Sequence, residues 1–293
     1  MKTIISASRR TDIPSFYYDW LQESLKNEKV SINNPMYPEK NYTVDLTPEE
    51  ISAIVLWSKN FKNVLNNPGY LENYNLYFQY TITGYSKILE PNVPTYEESL
   101  KTLEGLLTKY NPKQFNIRFD PIIISTEGEI YPTPNNPMQA RLNMFEKLCK
   151  DLKILGMDDC RITTSFLSIY GDTIKNLESN GIVFLERLNL LERNRRDFAK
   201  KMNEIALKYN REIYTCADNG LLEIAKTYSL NQFKQGHCID GEILNELFPE
   251  KFTKSKDPSQ RLACGCIKSR DIGGYFPCKH NCAYCYANPT KKE

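Results

Sequence analysis

The chain has 293 residues, of which 41% are hydrophobic and 25% are charged, and its formal net charge is +2. This composition is typical of a globular protein, and the length suits one large α/β domain. Because acidic and basic residues nearly balance, we expect no general affinity for nucleic acid. No apolar run approaches the roughly 20 residues of a membrane span, and the apolar stretch at the N-terminus is too short for a signal peptide. We therefore expect a cytoplasmic protein with no membrane partner.

Short β-forming runs alternate with longer helical patterns along the chain. Asp12 and Thr47 each occupy a capping position, with a proline two residues and one residue later, and both predict the start of a helix. Further helices are predicted from Thr95, from Met138, and over 170–178 and 197–209. Runs rich in β-branched and aromatic residues predict strands. The predicted strands are 3–7, 53–57, 76–83, 115–119, 161–166 and 212–216, with a weaker one at 233–238.

Strand–helix alternation of this kind predicts an α/β fold with a mostly parallel sheet. We expect a partial or complete TIM-like (β/α) barrel, because six strands suit a partial barrel and eight a complete one. Residues 1–248 would form the barrel-like domain. Residues 249–293, the C-terminal arm, would be a cysteine-rich, cluster-binding segment lying across the C-terminal ends of the strands.

Several charged residues follow predicted strands, at the edge where parallel α/β folds gather their binding groups. Arg9, Arg10 and Asp12 follow the first strand, and Arg118 and Asp120 follow the fourth. These five residues are the candidate catalytic or substrate-binding residues. Arginine forks suit phosphate and carboxylate groups. The alternative is structural, since the first group could form a salt bridge that fixes its loop, and Arg118 could pair with Asp120.

Cysteines are concentrated near the C-terminus, where five of the nine lie between Cys264 and Cys285. Cytoplasmic thiols stay reduced, so this clustering favours metal binding over a disulfide framework. Three residues separate Cys278 from Cys282, and two separate Cys282 from Cys285. Thiolates at this spacing can hold three corners of a four-iron, four-sulfur (4Fe-4S) cluster. Structural zinc is the alternative, because zinc sites use similar gaps.

Four further cysteines allow more than one arrangement. Cys264 or Cys266 could supply a fourth ligand to the same cluster, or both could join Cys216 and Cys238 in a second site. That second site would hold another iron–sulfur cluster or zinc. The simpler alternative for Cys216 and Cys238 is burial as small apolar residues. The remaining two cysteines, at positions 149 and 160, are predicted to be core thiols.

The Cys278–Cys285 segment, with aromatic Tyr284 before its last cysteine, resembles the motif of the radical S-adenosylmethionine (SAM) enzymes. In that family the free iron binds SAM, and one electron from the cluster cleaves the sulfonium to give a 5′-deoxyadenosyl radical. The resemblance nominates Tyr284 to pack against the adenine ring, and it implies an electron donor of the reductase or flavodoxin type. Radical SAM enzymes normally carry the motif after the first strand, whereas here it lies at the C-terminus.

A broader resemblance covers nearly the whole chain. Residues 6–14, 118–122 and the tail from Cys264 through Cys278 to Ala287 together resemble the bacterial domain-of-unknown-function family 1848. That family implies no activity beyond an iron–sulfur tail.

The sequence therefore predicts an iron–sulfur protein, with a radical-SAM-like enzyme acting on a small-molecule or macromolecular substrate as the leading hypothesis. The alternative is a binding or regulatory protein whose iron–sulfur or zinc site is closed and stabilises the fold.

Overall fold

The computed structural model describes residues 2–33, 41–124, 137–169, 171–182, 191–274 and 278–285. The chain forms two compact units, each assembled from separate segments. Unit 1 comprises Met1–Thr81, Glu97–Asn116 and Cys238–Cys278. Unit 2 comprises Ile82–Tyr96, Ile117–His237 and Lys279–Glu293. The predicted division into a barrel-like domain of residues 1–248 and a cluster-binding arm of residues 249–293 stays a prediction.

Eight strands form a large sheet, in the order β10-β1-β4-β5-β6-β7-β8-β9. Strand β1 pairs in parallel with β4 and β10, β4 pairs in parallel with β5, and β8 pairs in parallel with β7 and β9. A separate antiparallel pair is formed by β2 and β3. The strands are β1 Thr3–Ala7, β2 Lys29–Asn33, β3 Asn41–Asp45, β4 Ile51–Ser58, β5 Leu76–Thr81, β6 Phe115–Arg118, β7 Arg161–Thr164, β8 Ile213–Cys216, β9 Phe233–Gly236 and β10 Arg270–Asp271.

Helices follow most strands of the large sheet, as the α/β prediction requires. Three of them begin at an aspartate whose carboxylate accepts a backbone N–H of the first turn: Asp12, Asp218 and Asp240. The helices are α1 Ile13–Phe16, α2 Tyr18–Lys26, α3 Lys62–Asn66, α4 Tyr96–Leu107, α5 Pro137–Ile154, α6 Gly171–Ser179, α7 Leu191–Lys208, α8 Asn219–Thr227 and α9 Gly241–Leu247, with 3₁₀ turns at Gly69–Asn73 and Pro112–Gln114.

The central strands are apolar on both faces, as expected where helices cover a parallel sheet. In β4, seven of the eight residues of ISAIVLWS are buried. The core of unit 1 continues through paired rings. Phe78 stacks on Phe115 with 4.7 Å between ring centroids, and Phe61 meets Tyr80 edge-on at 4.9 Å. Unit 2 has its own apolar core, which contains the pair Phe119–Phe145 at 5.4 Å. These contacts hold each unit together by burial.

The prediction of an α/β fold with a parallel sheet is confirmed, but a TIM-like barrel is not. Within the described residues the sheet does not close: β10 and β9 stand at its two ends. Closure would require hydrogen bonds between these two strands. The eighth strand is instead supplied by the C-terminal arm, whose Arg270 and Asp271 pair with Ile5 and Ser6 of β1.

Two local predictions differ from the structure. The segment from Thr47 forms a turn rather than a helix, because Asp45 accepts the amide and hydroxyl of Thr47 and the chain enters β4 at Ile51. The helix predicted from Asp12 is two helices interrupted at Tyr17. Residue Tyr170, predicted to begin a helix, lies outside the described residues, and α6 begins at Gly171. Among the described residues no helix is both long enough and apolar enough to cross a membrane.

Candidate metal centre

The loop after β1 is fixed by a carboxylate of the C-terminal arm. Asp271 accepts hydrogen bonds from the hydroxyls of Ser6 and Ser8, at 3.0 and 2.6 Å, and from the backbone N–H of Arg9 at 2.9 Å. Within the C-terminal arm itself, the N–H of Gly273 also donates to Asp271, at 3.0 Å. Hydrogen bonds to an ionised carboxylate are charge-assisted and therefore stronger than bonds between neutral groups. They hold the arm against the C-terminal end of β1.

Arg10 and Asp12 lie in the same loop and are also engaged. Arg10 donates from Nη1 to the Gly273 carbonyl at 3.0 Å and lies 3.9 Å from Asp271. Asp12 is buried, and besides capping α1 it accepts the Ser58 hydroxyl at 2.7 Å and the Lys59 N–H at 2.8 Å. Asp12 thus joins the loop after β1 to the end of β4.

Three cysteines of unit 1 lie together beside this loop: Cys238, Cys264 and Cys266, which we call the three-thiol group. Cys266 occupies the middle of a hydrogen-bonded series, receiving a hydrogen bond from the Cys238 thiol and giving one to Cys264. The backbone N–H of Ile239 also donates to the Cys266 sulfur at 3.4 Å. Cys238 and Cys266 are buried, whereas Cys264 is partly exposed. The group therefore has one solvent-facing end.

The surroundings shift the pKa values of two of these thiols in opposite directions. The hydrogen bond from Cys266 is the main cause that lowers the pKa of Cys264 to about 6, with burial opposing it and the Arg9 charge assisting. The pKa of Cys266 is raised, because its hydrogen bond to Cys264 and its burial together outweigh the opposing effect of the bond from Cys238. Cys264 is accordingly a thiolate at neutral pH, which is the form that binds metals and attacks electrophiles.

Arg9 is the cation of this region. Its guanidinium carbon lies 5.3 Å from the centroid of the Trp57 ring, a cation–π contact. Its buried Nη2 has no hydrogen-bond partner among the described residues. The charge of Arg9 lowers the pKa of Cys264 and also that of Asp257, where hydrogen bonds from Ser259 act in the same direction against burial. Arg9 therefore compensates negative charge on the thiols and on a neighbouring carboxylate.

The backbone that carries the three-thiol group is held by buried polar contacts. The Cys238 carbonyl accepts the Gln79 side-chain amide at 2.5 Å, and the Gln79 carbonyl in turn accepts Asn116 Nδ2 at 2.8 Å. On the arm side, the Cys266 carbonyl accepts the Asp257 N–H at 2.9 Å. Amides in a dry core are costly unless paired, so this chain of contacts specifies the position of Cys238.

The segment Lys279–Cys285, which follows the first cysteine of the tail motif, is bound within unit 2. Asn92 donates to the carbonyls of Lys279 and His280, and its own carbonyl lies 3.1 Å from His280 Nδ1. The Ala283 N–H donates to the Leu89 carbonyl at 2.9 Å. Cys282 is buried and Cys285 partly buried, with the Cys285 N–H donating to the Cys282 carbonyl at 3.1 Å. The remaining cysteine, Cys278, belongs to unit 1 and is partly buried.

Tyr284 anchors the same segment through its side chain. Its hydroxyl donates to Glu90, a carboxylate only 2% exposed that also accepts the Thr83 hydroxyl at 2.7 Å. The ring lies 6.0 Å from Tyr85 and packs in the apolar core of unit 2. Burial, followed by the nearby Glu90 charge, raises the pKa of Tyr284. With 7% of the residue exposed, little of its ring is accessible, and the packing of an adenine ring against it stays a prediction.

The sequence profile described as a domain of unknown function (DUF1848) matches residues 4–287. The chain belongs to the DUF1848 family. No curated protein matches significantly, and no solved structure does.

The other predicted DUF1848 site residues lie in unit 2. Arg118 and Asp120 form an ion pair, with 2.5 Å between Nη2 and Oδ2, and their side chains are 12% and 10% exposed. Cys216 ends β8 and is partly buried, and its neighbour Asp218 caps α8 and accepts the Phe166 N–H at 2.9 Å. The motif residues Tyr275, Tyr286 and Ala287 lie outside the described residues. Among the described residues, no three histidine, cysteine or acidic side chains converge as a formed metal site.

Sequence reasoning missed three residues that position these cysteines: Asp271, Glu90 and Asn92. Asp271 directly precedes the apolar and glycine-containing run Ile272-Gly273-Gly274, and a charged residue at that place is a weak signal for a buried polar role. Glu90 and Asn92 flank a proline in a region that sequence reasoning left unassigned. Their partners are about 190 positions away, at Tyr284 and His280, so nothing local could reveal them.

Proposed function

We propose that this DUF1848 protein is an iron–sulfur enzyme of the radical-SAM type. Cys278, Cys282 and Cys285 would hold three irons of a 4Fe-4S cluster, and the fourth iron would be open to SAM. The observation that carries the proposal is the all-thiol donor set with gaps of three and two residues. Thiolates are the usual ligands of such clusters, so the donors fit this cofactor.

The contacts of Lys279–Cys285 support a role for this segment beyond a loose tail. Asn92, Leu89 and Glu90 contact different residues of it, so hydrogen bonds within the protein position the backbone between the cysteines. Preorganised ligands reduce the cost of ordering when a group binds. Cys285 keeps part of its side chain accessible, which a cluster assembled from solution requires.

When bound, the cluster would supply the one electron that reductive cleavage of SAM consumes, drawn from a reductase or flavodoxin-type donor. The protein would supply position and electrostatics. The proposed architecture is a partial barrel, in which charged residues after the strands face the substrate. Arg118 and Asp120 are the proposed substrate-facing pair of unit 2, and Arg9 and Arg10 those of unit 1, with Asp12 fixing the loop that carries the latter.

Metal content and SAM cleavage test the proposal together. Wild-type protein is reconstituted without oxygen, and iron, acid-labile sulfide and zinc are measured per chain. Cys282→Ala should lose the iron and sulfide, whereas Cys149→Ala, which changes another buried thiol, should retain both. Dithionite-reduced wild-type protein should convert SAM to 5′-deoxyadenosine and methionine. Equal iron in both variants would overturn the cluster assignment.

Failure of SAM cleavage with the cluster intact would have a different meaning. It would favour a closed site, in which a fourth protein ligand fills the remaining iron and the cluster acts in folding, binding or regulation. Zinc in place of iron after anaerobic purification would assign Cys278, Cys282 and Cys285 to a structural zinc site. Iron analysis and product formation thus separate the enzyme from its alternatives.

A further inference from the structure

We propose that a pocket of unit 1, which we call the arm pocket, binds the phosphate group of a small phosphorylated metabolite. The pocket has a volume of about 270 Å³. Ligand pockets usually measure roughly 300–1,000 Å³, so this one suits a small ligand. The proposal does not depend on the proposed function, because no described residue of the pocket belongs to the Cys278–Cys285 motif.

Several segments of unit 1 form the walls of the arm pocket. They are the first residues of β1, Ser52 of β4, and residues 251–253 and 268–270 of the C-terminal arm. Residues 268–270 are held in place because β10 pairs with β1. Asn245 holds Phe252 by hydrogen bonds of 3.0 Å to its backbone N–H and carbonyl. Backbone hydrogen bonds therefore position the walls of the pocket.

The arm pocket lies at the edge of the sheet where the strands begin. Thr3 and Ile4 are the first two residues of β1, whereas Arg9 and Arg10 follow its last residue. A parallel strand rises about 3.3 Å per residue, so the length of β1 separates these two ends by roughly 13 Å. A ligand in the arm pocket would bind away from the loop after β1, and it would connect the C-terminal arm to the starts of β1 and β4.

The charge of the arm pocket favours an anion. The described residues that line it include no carboxylate and four cations: Lys2, Lys251, Lys268 and Arg270. Glu250 lies 3.6 Å from Lys2 and offsets its charge, whereas the other three cations form no ion pair with a described carboxylate. A phosphate monoester carries a charge of about −1.5 to −2 and three acceptor oxygens at neutral pH. A carboxylate carries one charge and two oxygens, so phosphate matches the three cations better.

Two buried hydroxyls in the walls have no partner among the described residues. The Oγ atoms of Ser52 and Ser269 are buried without a hydrogen bond, and Ser52 is only 3% exposed. A buried hydroxyl without a partner costs free energy. Two such hydroxyls in one cation-lined pocket therefore indicate a missing acceptor, and each can donate to a phosphate oxygen.

The arm pocket also has an apolar wall, formed by Ile4 and Phe252. Both residues are largely buried, at 6% and 8% exposed. Apolar walls with a few polar groups are typical of small-molecule sites, so the carbon body of an ester would be bound together with its phosphate. Nucleic acid binding instead depends on several phosphates along a strand, which a pocket of this volume does not accommodate.

Isothermal titration calorimetry with phenyl phosphate tests the site. At about 0.15 M salt, which screens exposed charges, wild-type protein should bind one phenyl phosphate per chain and bind benzoate more weakly. Lys268→Gln and Arg270→Gln should each weaken phenyl phosphate binding about tenfold, as loss of a charged hydrogen bond does. The matched control Lys62→Gln removes an exposed lysine of unit 1 outside the pocket and should leave the affinity unchanged.

Ser52→Ala separates a built site from a general basic surface. It keeps every charge and removes one hydroxyl, so it should weaken phenyl phosphate binding about fivefold, as loss of one neutral hydrogen bond does. The melting temperature of the free protein should not fall, because this hydroxyl has no partner to lose among the described residues. Circular dichroism establishes that each variant is folded, and Lys251→Gln replaces any variant that is not.

Three results would overturn the proposal. The first is neither heat nor a rise in melting temperature with millimolar phenyl phosphate, since a ligand that binds the folded state must stabilise it. The second is equal affinity of wild-type protein and Ser52→Ala, which would reduce the pocket to a basic surface. The third is tighter binding of single-stranded DNA that is lost in Lys268→Gln, which would assign this surface to nucleic acid.

Discussion

The hydrogen bond between Tyr284 and Glu90 should stabilise unit 2 measurably. Replacing Tyr284 with phenylalanine keeps the ring and its packing against Tyr85 but removes the donor to Glu90. Glu90 is 2% exposed, so water cannot readily replace the lost donor, although the Thr83 hydroxyl remains. A hydrogen bond to a charged group contributes about 1.5–3 kcal/mol, and with one donor left we expect a loss of about 2 kcal/mol. That corresponds to a roughly 30-fold smaller folding equilibrium constant.

Urea unfolding followed by circular dichroism measures this change. Both tryptophans, Trp20 and Trp57, lie in unit 1, so their fluorescence would not report directly on unit 2. Tyr70→Phe, which changes an exposed tyrosine, is the matched control and should shift stability by less than about 0.5 kcal/mol. Combined with Glu90→Gln in a double-mutant cycle, Tyr284→Phe should show a coupling above about 1 kcal/mol. A Tyr284→Phe variant as stable as wild type would refute the anchoring role.

Three further predictions concern the C-terminal arm and the thiols. In metal-free protein, iodoacetamide should alkylate Cys264 with a midpoint near pH 6, because its pKa is lowered to about 6 and the reactive thiolate forms above that pH. Cys160, whose pKa is raised to about 12 by burial, should stay unmodified at pH 7. Peptide mass spectrometry measures both modifications, and equal reaction of the two cysteines would contradict the prediction. Asp271→Ala should destabilise the protein by about 3 kcal/mol, because several charge-assisted donors lose their acceptor, and an unchanged urea midpoint would count against it. Gly273→Ala should lower the melting temperature, since the new Cβ would lie 2.0 Å from the Ser8 hydroxyl oxygen. Gly220→Ala at the start of α8 should not, because its new Cβ would meet only Asp218 Oδ1, at an ordinary contact distance of 3.5 Å.

The parts of the fold set by local pattern were predictable from the sequence. The first strand is found at the predicted residues, 3–7, because five β-forming or small residues precede a clear capping aspartate. The long apolar run around Val55 could only be a buried strand. By contrast, β10 has two residues and exists only through its pairing with β1, which no local pattern encodes. Closure of the sheet is likewise a property of its edge strands, so the strand count alone could not decide between an open sheet and a barrel.

The candidate sites also combine features that the sequence shows with features that only the tertiary structure shows. Cysteine spacing alone singled out Cys278, Cys282 and Cys285, and the pair Cys264 and Cys266. That the latter two lie with Cys238 and Arg9 depends on how the arm returns to the strand ends, a long-range feature that composition and periodicity do not record. Pattern reasoning finds the chemical groups, whereas the partners that position them, such as Asp271, come from tertiary structure.

Electron paramagnetic resonance of the anaerobically reconstituted, reduced protein tests the central claim most directly. A 4Fe-4S cluster held by Cys278, Cys282 and Cys285 should give a reduced-cluster signal that changes when SAM is added, because SAM would bind the open iron. A signal indifferent to SAM, or a protein that retains zinc and no iron at these cysteines, would contradict the radical-SAM account.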